Sequence, residues 1–286
     1  MRTPSDRRRL FRARAMTTGL LAGAGLAFAH TVTGVPATGP VLAAATGGYG
    51  VGGTAAPVTT TPPPPAPNPV LPFNAKLTSD DIPVPGGGVR SGACSGSLVA
   101  PQWIVTAGHC FHDLADTRIG GKPPYTMRVT VGRLKDTDPG GYTTEVVDVR
   151  QSPVNDLAVA KLGHPIADIA PATLAERRPA VGQQLQFAGW GSHSATVLGP
   201  SDHLKRGRFR VSGIGQATLE AQPVGTRTVE NGPCPEDSGG PFFVSDDDRR
   251  ATLVAIVNTG PPCPQPGAET IARVDVVADW IRAQTG

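Results

Sequence analysis

The chain has 286 residues, with 26 Lys+Arg against 23 Asp+Glu and a formal charge of +3. Six of those arginines and a single acid, Asp6, lie within residues 1–45; without them 20 basic residues face 22 acidic ones. The basic balance therefore belongs to a leader, and gives no support for nucleic-acid binding.

Residues 1–45 carry a basic head (Arg2, Arg7, Arg8, Arg9, Arg12, Arg14) and then the apolar run Gly19–Ala29. That pattern predicts a secretory signal peptide, too short to span a bilayer. Ala27-Phe28-Ala29 and Ala43-Ala44-Ala45 both offer small-residue cleavage sites, after 29 or after 45. Arg8-Arg9-Leu10-Phe11 resembles a twin-arginine export signal without the usual preceding Ser or Thr; an ordinary arginine-rich signal is the other reading. Residues 46–71 are Gly-rich, then Pro-rich through Thr59–Pro69. Proline fixes φ and removes N–H donors, so this stretch reads as a disordered, extended spacer or pro-segment. Tethering to a cell wall is a further use for such a spacer.

From Pro72 to Gly286 the composition becomes globular. Short β-prone runs recur at Trp103–Thr106, Arg128–Val131, Thr143–Val149, Leu157–Leu162, Leu185–Ala188, Phe209–Val211, Leu253–Val257 and Thr270–Val274. Gly and Pro punctuate the gaps, as closed antiparallel barrels require. Val276–Ala283 is the one amphipathic helix, with Val276, Val277, Trp280 and Ile281 on one face. Four cysteines in an exported chain favour disulfides, and four allow three pairings.

Three segments carry chemistry, in the order Trp103-Ile104-Val105-Thr106-Ala107-Gly108-His109-Cys110, Asn155-Asp156-Leu157-Ala158-Val159 and Pro233-Cys234-Pro235-Glu236-Asp237-Ser238-Gly239-Gly240-Pro241. A serine hydroxyl is a poor nucleophile until an imidazole takes its proton. The imidazole in turn needs a carboxylate to fix its tautomer and stabilise its cation. His109, Asp156 and Ser238 supply one of each, 47 and then 82 residues apart. His30, His112, His164, His193 and His203 lack that setting and read as surface residues, His112 alone standing near the motif.

T-A-G-H-C, N-D-L-A-V and D-S-G-G-P in this order resemble the chymotrypsin/trypsin-type serine proteases, over residues 72–286. The run Ala93–Trp103 resembles secreted trypsin-like proteins of actinobacteria. The resemblance implies an all-β fold of two antiparallel six-stranded β-barrels with a C-terminal α-helix. It implies the triad His109, Asp156 and Ser238, an oxyanion hole from the N–H groups of Glu236 and Ser238, and disulfides Cys94–Cys110 and Cys234–Cys263. Each closed loop is worth about 3 kcal/mol on the loop-entropy estimate.

This chain departs from the family pattern at several places. Glu236 stands where glycine is usual, and is expected to point outward and narrow the leaving-group side. Gly232 occupies the position that sets the charge of the primary pocket. Asn258, Thr259 and Gly260 match the strand that pairs with substrate backbone, Asn258 keeping a polar group near Asp156 and Thr259 opening a subsite. Glu269 is expected at the pocket wall, where it would favour basic residues. Asp237 matches the aspartate that in zymogen-derived members pairs with a released N-terminal ammonium, yet no Ile-Val-Gly-Gly stands upstream. Another cation, a different activation or a poorly formed site are the alternatives.

No metal cluster, nucleotide loop or aromatic platform stands out, and Asp246-Asp247-Asp248 reads as a solvated loop; no cofactor is expected. The reading is a secreted, monomeric serine endopeptidase acting on proteins or peptides, free of nucleic acid and, once the signal is removed, of membrane. The alternative is a catalytically impaired binding module on the same fold.

Overall fold

The computed structural model describes residues 68–286. The expected signal peptide and all of the spacer before Asn68 lie outside the described residues. The last spacer residues already belong to the packed domain: Leu71 is fully buried and its N–H donates to the Asp248 carbonyl at 2.5 Å.

Six strands close the first barrel: β1 (Asn74–Pro83), β2 (Val89–Ala100), β3 (Trp103–Thr106), β4 (Arg128–Val131), β5 (Tyr142–Gln151) and β6 (Ala158–Leu162). Their order is β1-β2-β3-β6-β5-β4, and β4 returns to β1 with Val131 opposite Ala75. Leu77, Val129, Val146 and Val149 are buried, a β-bulge separating the last two, while β3 and the Ala158–Ala160 stretch of β6 are buried throughout. A strand covered on both faces needs no polar alternation, which is why these runs are continuously apolar.

The second sheet holds β7 (Thr173–Leu174), β8 (Gln184–Gly189), β9 (Lys205–Ile214), β10 (Thr218–Pro223), β11 (Pro241–Val244), β12 (Thr252–Thr259) and β13 (Glu269–Arg273). The strands β8 to β13 form an antiparallel barrel closed by β11 against β12, and the two-residue β7 adds on parallel to β12. Phe187, Phe209 and Phe242 fill it, with edge-on Phe187–Phe209 and Phe209–Phe242 pairs at centroid distances of 6.1 and 5.0 Å. Trp190, just past β8, donates its indole N–H to Asn74 Oδ1 at 2.8 Å and so ties the two barrels together. The helix α1 (Ala278–Thr285) starts two residues later than its sequence pattern suggests, buries Ala278 and Ile281, and receives Arg150 of β5 on the Gln284 carbonyl at 2.9 Å.

Candidate active site

His109 sits in a single 3-10 turn, Gly108–Cys110, directly after β3. Cys110 pairs with Cys94 of β2 (Cα–Cα 6.3 Å), which fixes that turn to the barrel wall. Gly108 has to be glycine: a Cβ there would lie 2.7 Å from Asp156 Oδ1, 2.9 Å from Arg118 Nη1 and 2.6 Å from Gln151 Oε1. Its bareness lets three polar side chains close on the histidine.

Asp156 stands in the turn before β6. The preceding Asn155 accepts from Ser152 Oγ (3.0 Å) and donates to the Arg273 carbonyl (2.8 Å) and the Ala217 carbonyl (3.2 Å), anchoring this turn to the second barrel. Asp156 Oδ1 then accepts the His109 backbone N–H at 2.9 Å and Oδ2 accepts Nδ1–H at 2.6 Å. Arg118 donates to the Asn155 carbonyl at 3.1 Å and reaches Asp156 Oδ1 at 3.4 Å. Burial pushes the Asp156 carboxyl up, but the His109 contacts and the Arg118 charge outweigh it and the net shift is down. A carboxylate held ionised keeps the proton on Nδ1 and leaves the Nε2 lone pair facing outward.

Ser238 is held by its own backbone. Its carbonyl accepts from Ser95 of β2 (2.8 Å), and the next residue, Gly239, donates to Val257 of β12 (2.9 Å). Cys234–Cys263 (Cα–Cα 5.0 Å) closes the segment before it. Ser238 borders two recesses. One, about 150 Å³, is shared with His109, His112, Arg90 and the Cys94–Cys110 pair. The other, about 260 Å³, is lined by Pro233–Pro235, Val257–Cys263 and Glu269. Asp237, Gly239 and Gly240 spend their N–H groups on carbonyls, whereas those of Glu236 and Ser238 meet no protein acceptor among the described residues.

Asp237 is fully buried, and so is the lysine that meets it: Lys205 Nζ, from the start of β9, forms an ion pair with Oδ2. The carboxylate also accepts from Gly191 N–H (2.7 Å) and Cys234 N–H (2.8 Å). Burial pushes this carboxyl up while Lys205 and the two N–H groups pull it back. Lys205 donates further to the carbonyls of Ser192 and Gly232, each at 3.3 Å. The cation that the missing activation sequence left open is thus a side chain of the second barrel itself.

The larger recess differs from its sequence expectation in one respect. Glu269 lines it, but Arg227 reaches Glu269 Oε1 at 2.6 Å and is itself buried. Gly232 is covered by Arg227, whose Nε lies 2.8 Å from where a Cβ at 232 would be. The bare position 232 makes room for an arginine, and Glu269 meets an incoming cation with its charge already countered. Burial pushes the Glu269 carboxyl up to about 7, with Arg227 working against that rise. Gly260 must also stay bare, since a Cβ there would sit 1.8 Å from Glu269 Oε2. Asn258 and Thr259 line the same recess at a β-bulge in β12, but the side-chain partners of Asp156 are His109 and Arg118, not Asn258.

Glu236 adopts φ +74°, a left-handed conformation unusual for a residue with a side chain. Its side chain is partly buried, with Oε2 buried and unpartnered. Burial pushes the carboxyl above the usual range. One oxygen of the carboxyl expected to point outward is thus buried, and Glu236 lines neither of the two recesses beside Ser238.

Residues 70–281 match the family model described as Trypsin. The chain belongs to the trypsin family of serine proteases. Brachyurin of Leptuca pugilator is 30% identical over 68% of this chain and 88% of its own length. Trypsin-3 of Homo sapiens is 26% identical over 74% of this chain and 68% of its length. The Suppressor of tumorigenicity 14 protein homolog of Bos taurus is 29% identical over 68% of this chain, which spans only 25% of that protein. Among solved structures, mouse neuropsin superposes with a TM-score of 0.58 over 76% of this chain and 95% of its own, at 21% identity, a likeness of fold. The chain is therefore a trypsin-like serine endopeptidase by family and fold.

Proposed function

We propose that the protein is a secreted serine endopeptidase whose reaction runs through an acyl-enzyme on Ser238. The observation that carries this is the double clamp of Asp156 on His109, through N–H at 2.9 Å and Nδ1 at 2.6 Å, in a recess shared with Ser238. His109 Nε2 takes the Ser238 proton as Oγ attacks the peptide carbonyl, and the tetrahedral oxygen becomes an anion. The uncommitted N–H groups of Glu236 and Ser238 stabilise it. His109 then gives its proton to the leaving amine, which departs through the smaller recess; water repeats the sequence to release the acid. The residue before the cleaved bond enters the larger recess, towards the Arg227–Glu269 pair.

The Lys205–Asp237 pair supports activity in the single chain, because the carboxylate that shapes the oxyanion loop has a permanent cation. The signal-like leader supports export, and the domain supports action as a monomer on proteins or peptides. Among the described residues no helix is long and apolar enough to cross a membrane. A second reading, an impaired binding module, draws on Glu236, whose backbone strain and buried carboxyl oxygen lie beside the oxyanion donors.

Labelling of the secreted protein with a fluorophosphonate, against a Ser238→Ala control, separates the two. Labelling lost in the variant is the expected result. A disulfide-bonded wild type that stays unlabelled would overturn the endopeptidase reading and favour the binding module.

A further inference from the structure

Outside the active site, two imidazoles and a carboxylate converge from two loops. His193 lies after β8, His203 just before β9, and Glu230 in the loop between β10 and β11. His193 Nδ1 meets Glu230 Oε1, and His203 Nε2 lies 3.2 Å from Oε2. One ligand atom from each of the three falls within 4.8 Å of the others, and the ring centroids are 4.4 Å apart. All three side chains keep an open side towards solvent.

A second observation concerns the far edges of the two rings. His203 Nδ1 faces Asp202 Oδ1 at 2.7 Å, and His193 Nε2 faces Ser201 Oγ. When each outer nitrogen donates, the lone pairs of His193 Nδ1 and His203 Nε2 both turn to the point that Glu230 already marks. Metal-ligating histidines are held in this way, by a carboxylate or other acceptor on the nitrogen that does not bind. Tetrahedral bonds of about 2.0–2.1 Å hold ligand atoms roughly 3.3 Å apart. The His203–Glu230 separation fits that spacing as it stands, whereas the shorter contact of His193 with the other carboxylate oxygen has to lengthen to reach it.

We propose that His193, His203 and Glu230 form a binding site for a first-row transition dication, with zinc as the ion best suited to two imidazoles and one carboxylate. Calcium and magnesium, which call for oxygen ligands, do not suit this donor set. Water completes the coordination. The site also has a mechanical address. Ser192 and Gly232, whose carbonyls hold Lys205, adjoin His193 and follow Glu230 by two residues, and His203 precedes Lys205 by two. A bound ion staples the three segments that cradle Lys205 beneath Asp237.

The test is calorimetric titration of zinc into the secreted full chain after chelator stripping, beside His203→Ala, Glu230→Gln and His109→Ala. One ion per chain is expected, with affinity falling at least about tenfold in the first two variants and unchanged in His109→Ala. Zinc should raise the Tm of the wild type and leave that of His203→Ala in place. Absence of saturable binding in the wild type, binding indifferent to both site variants, or loss only in His109→Ala would each overturn the proposal. Cobalt gives a readout that needs no variant: visible d–d bands of a tetrahedral ion are expected, and a purely octahedral spectrum counts against the site.

Discussion

Replacing Lys205 by methionine keeps most of the apolar stem and removes the ammonium, its charge together with its bonds to the Ser192 and Gly232 carbonyls. Lys205 and Asp237 are both completely buried, so water cannot take the place of the ammonium. Breaking such a pair from one side costs about 3–5 kcal/mol. The N–H groups of Gly191 and Cys234, at 2.7 and 2.8 Å, still hold the carboxylate and place the effect near the lower end. At about 2–4 °C per kcal/mol for a domain of this size, a 3 kcal/mol loss lowers Tm by about 6–12 °C, read by circular dichroism. The oxyanion loop follows Asp237, so the rate of fluorophosphonate labelling should fall by about 100-fold or more. The pH dependence has a definite sign. With its cation gone, Asp237 has a folded pKa above the unfolded 3.8, so the folded chain binds the extra proton and the deficit narrows as pH falls. Lys205→Met/Asp237→Asn should recover part of the lost Tm. A single variant with wild-type Tm and labelling rate would refute the claim that this pair shapes the site.

Asp156→Asn should lower kcat by about 10⁴-fold through the wrong His109 tautomer, with Tm nearly unchanged; a loss below tenfold would contradict the double clamp. Glu236→Gly relieves a left-handed φ that costs a side-chain-bearing residue about 1–2 kcal/mol, less the extra chain entropy of glycine. Its Tm should rise by a few degrees, and a fall would show that the carboxyl is a useful contact. Glu269, raised to about 7 by burial, should make benzamidine binding to Ser238→Ala strengthen between about pH 6 and 8 while neutral benzamide stays flat; parallel profiles would exclude Glu269 from the pocket. The same shift means that Glu269 costs stability increasingly from its unfolded pKa of 4.5 up to about 7, so the Tm of the wild type should fall relative to that of Glu269→Gln as pH rises through that window.

The strands visible in sequence were those with compact apolar runs, such as Trp103–Thr106 and Leu253–Val257. Five others, β1, β2, β7, β10 and β11, gave no comparable signal. β2 reads Ser-Gly-Ala-Cys-Ser-Gly-Ser through its centre, residues that β-propensity disfavours, and it is a strand because its neighbours on both sides supply the ladder. β10 contains Thr-Leu-Glu-Ala-Gln, as suited to a helix as to a strand. At the site, His109, Asp156 and Ser238 stand in local motifs and were legible. Arg118, Arg227 and Lys205 were not, because each acts on a partner 32 to 42 residues away through space. A buried charge has no local pattern, and only the fold reveals what it neutralises. His193, His203 and Glu230 escaped for the same reason.

Lys205 is present from the moment of synthesis, unlike an ammonium created by cutting the chain. Asp237 therefore acquires its cation in the same event that closes the second barrel, and that cation does not depend on a cut in the chain. Restraint then has to come from timing. On the proposed secreted role, export of an unfolded chain would postpone the closing of that barrel until the membrane has been passed, whereas export of a folded chain would carry the formed Lys205–Asp237 pair across from inside the producing cell. On the proposed reading, the route across the membrane and the safety of the cell become one question.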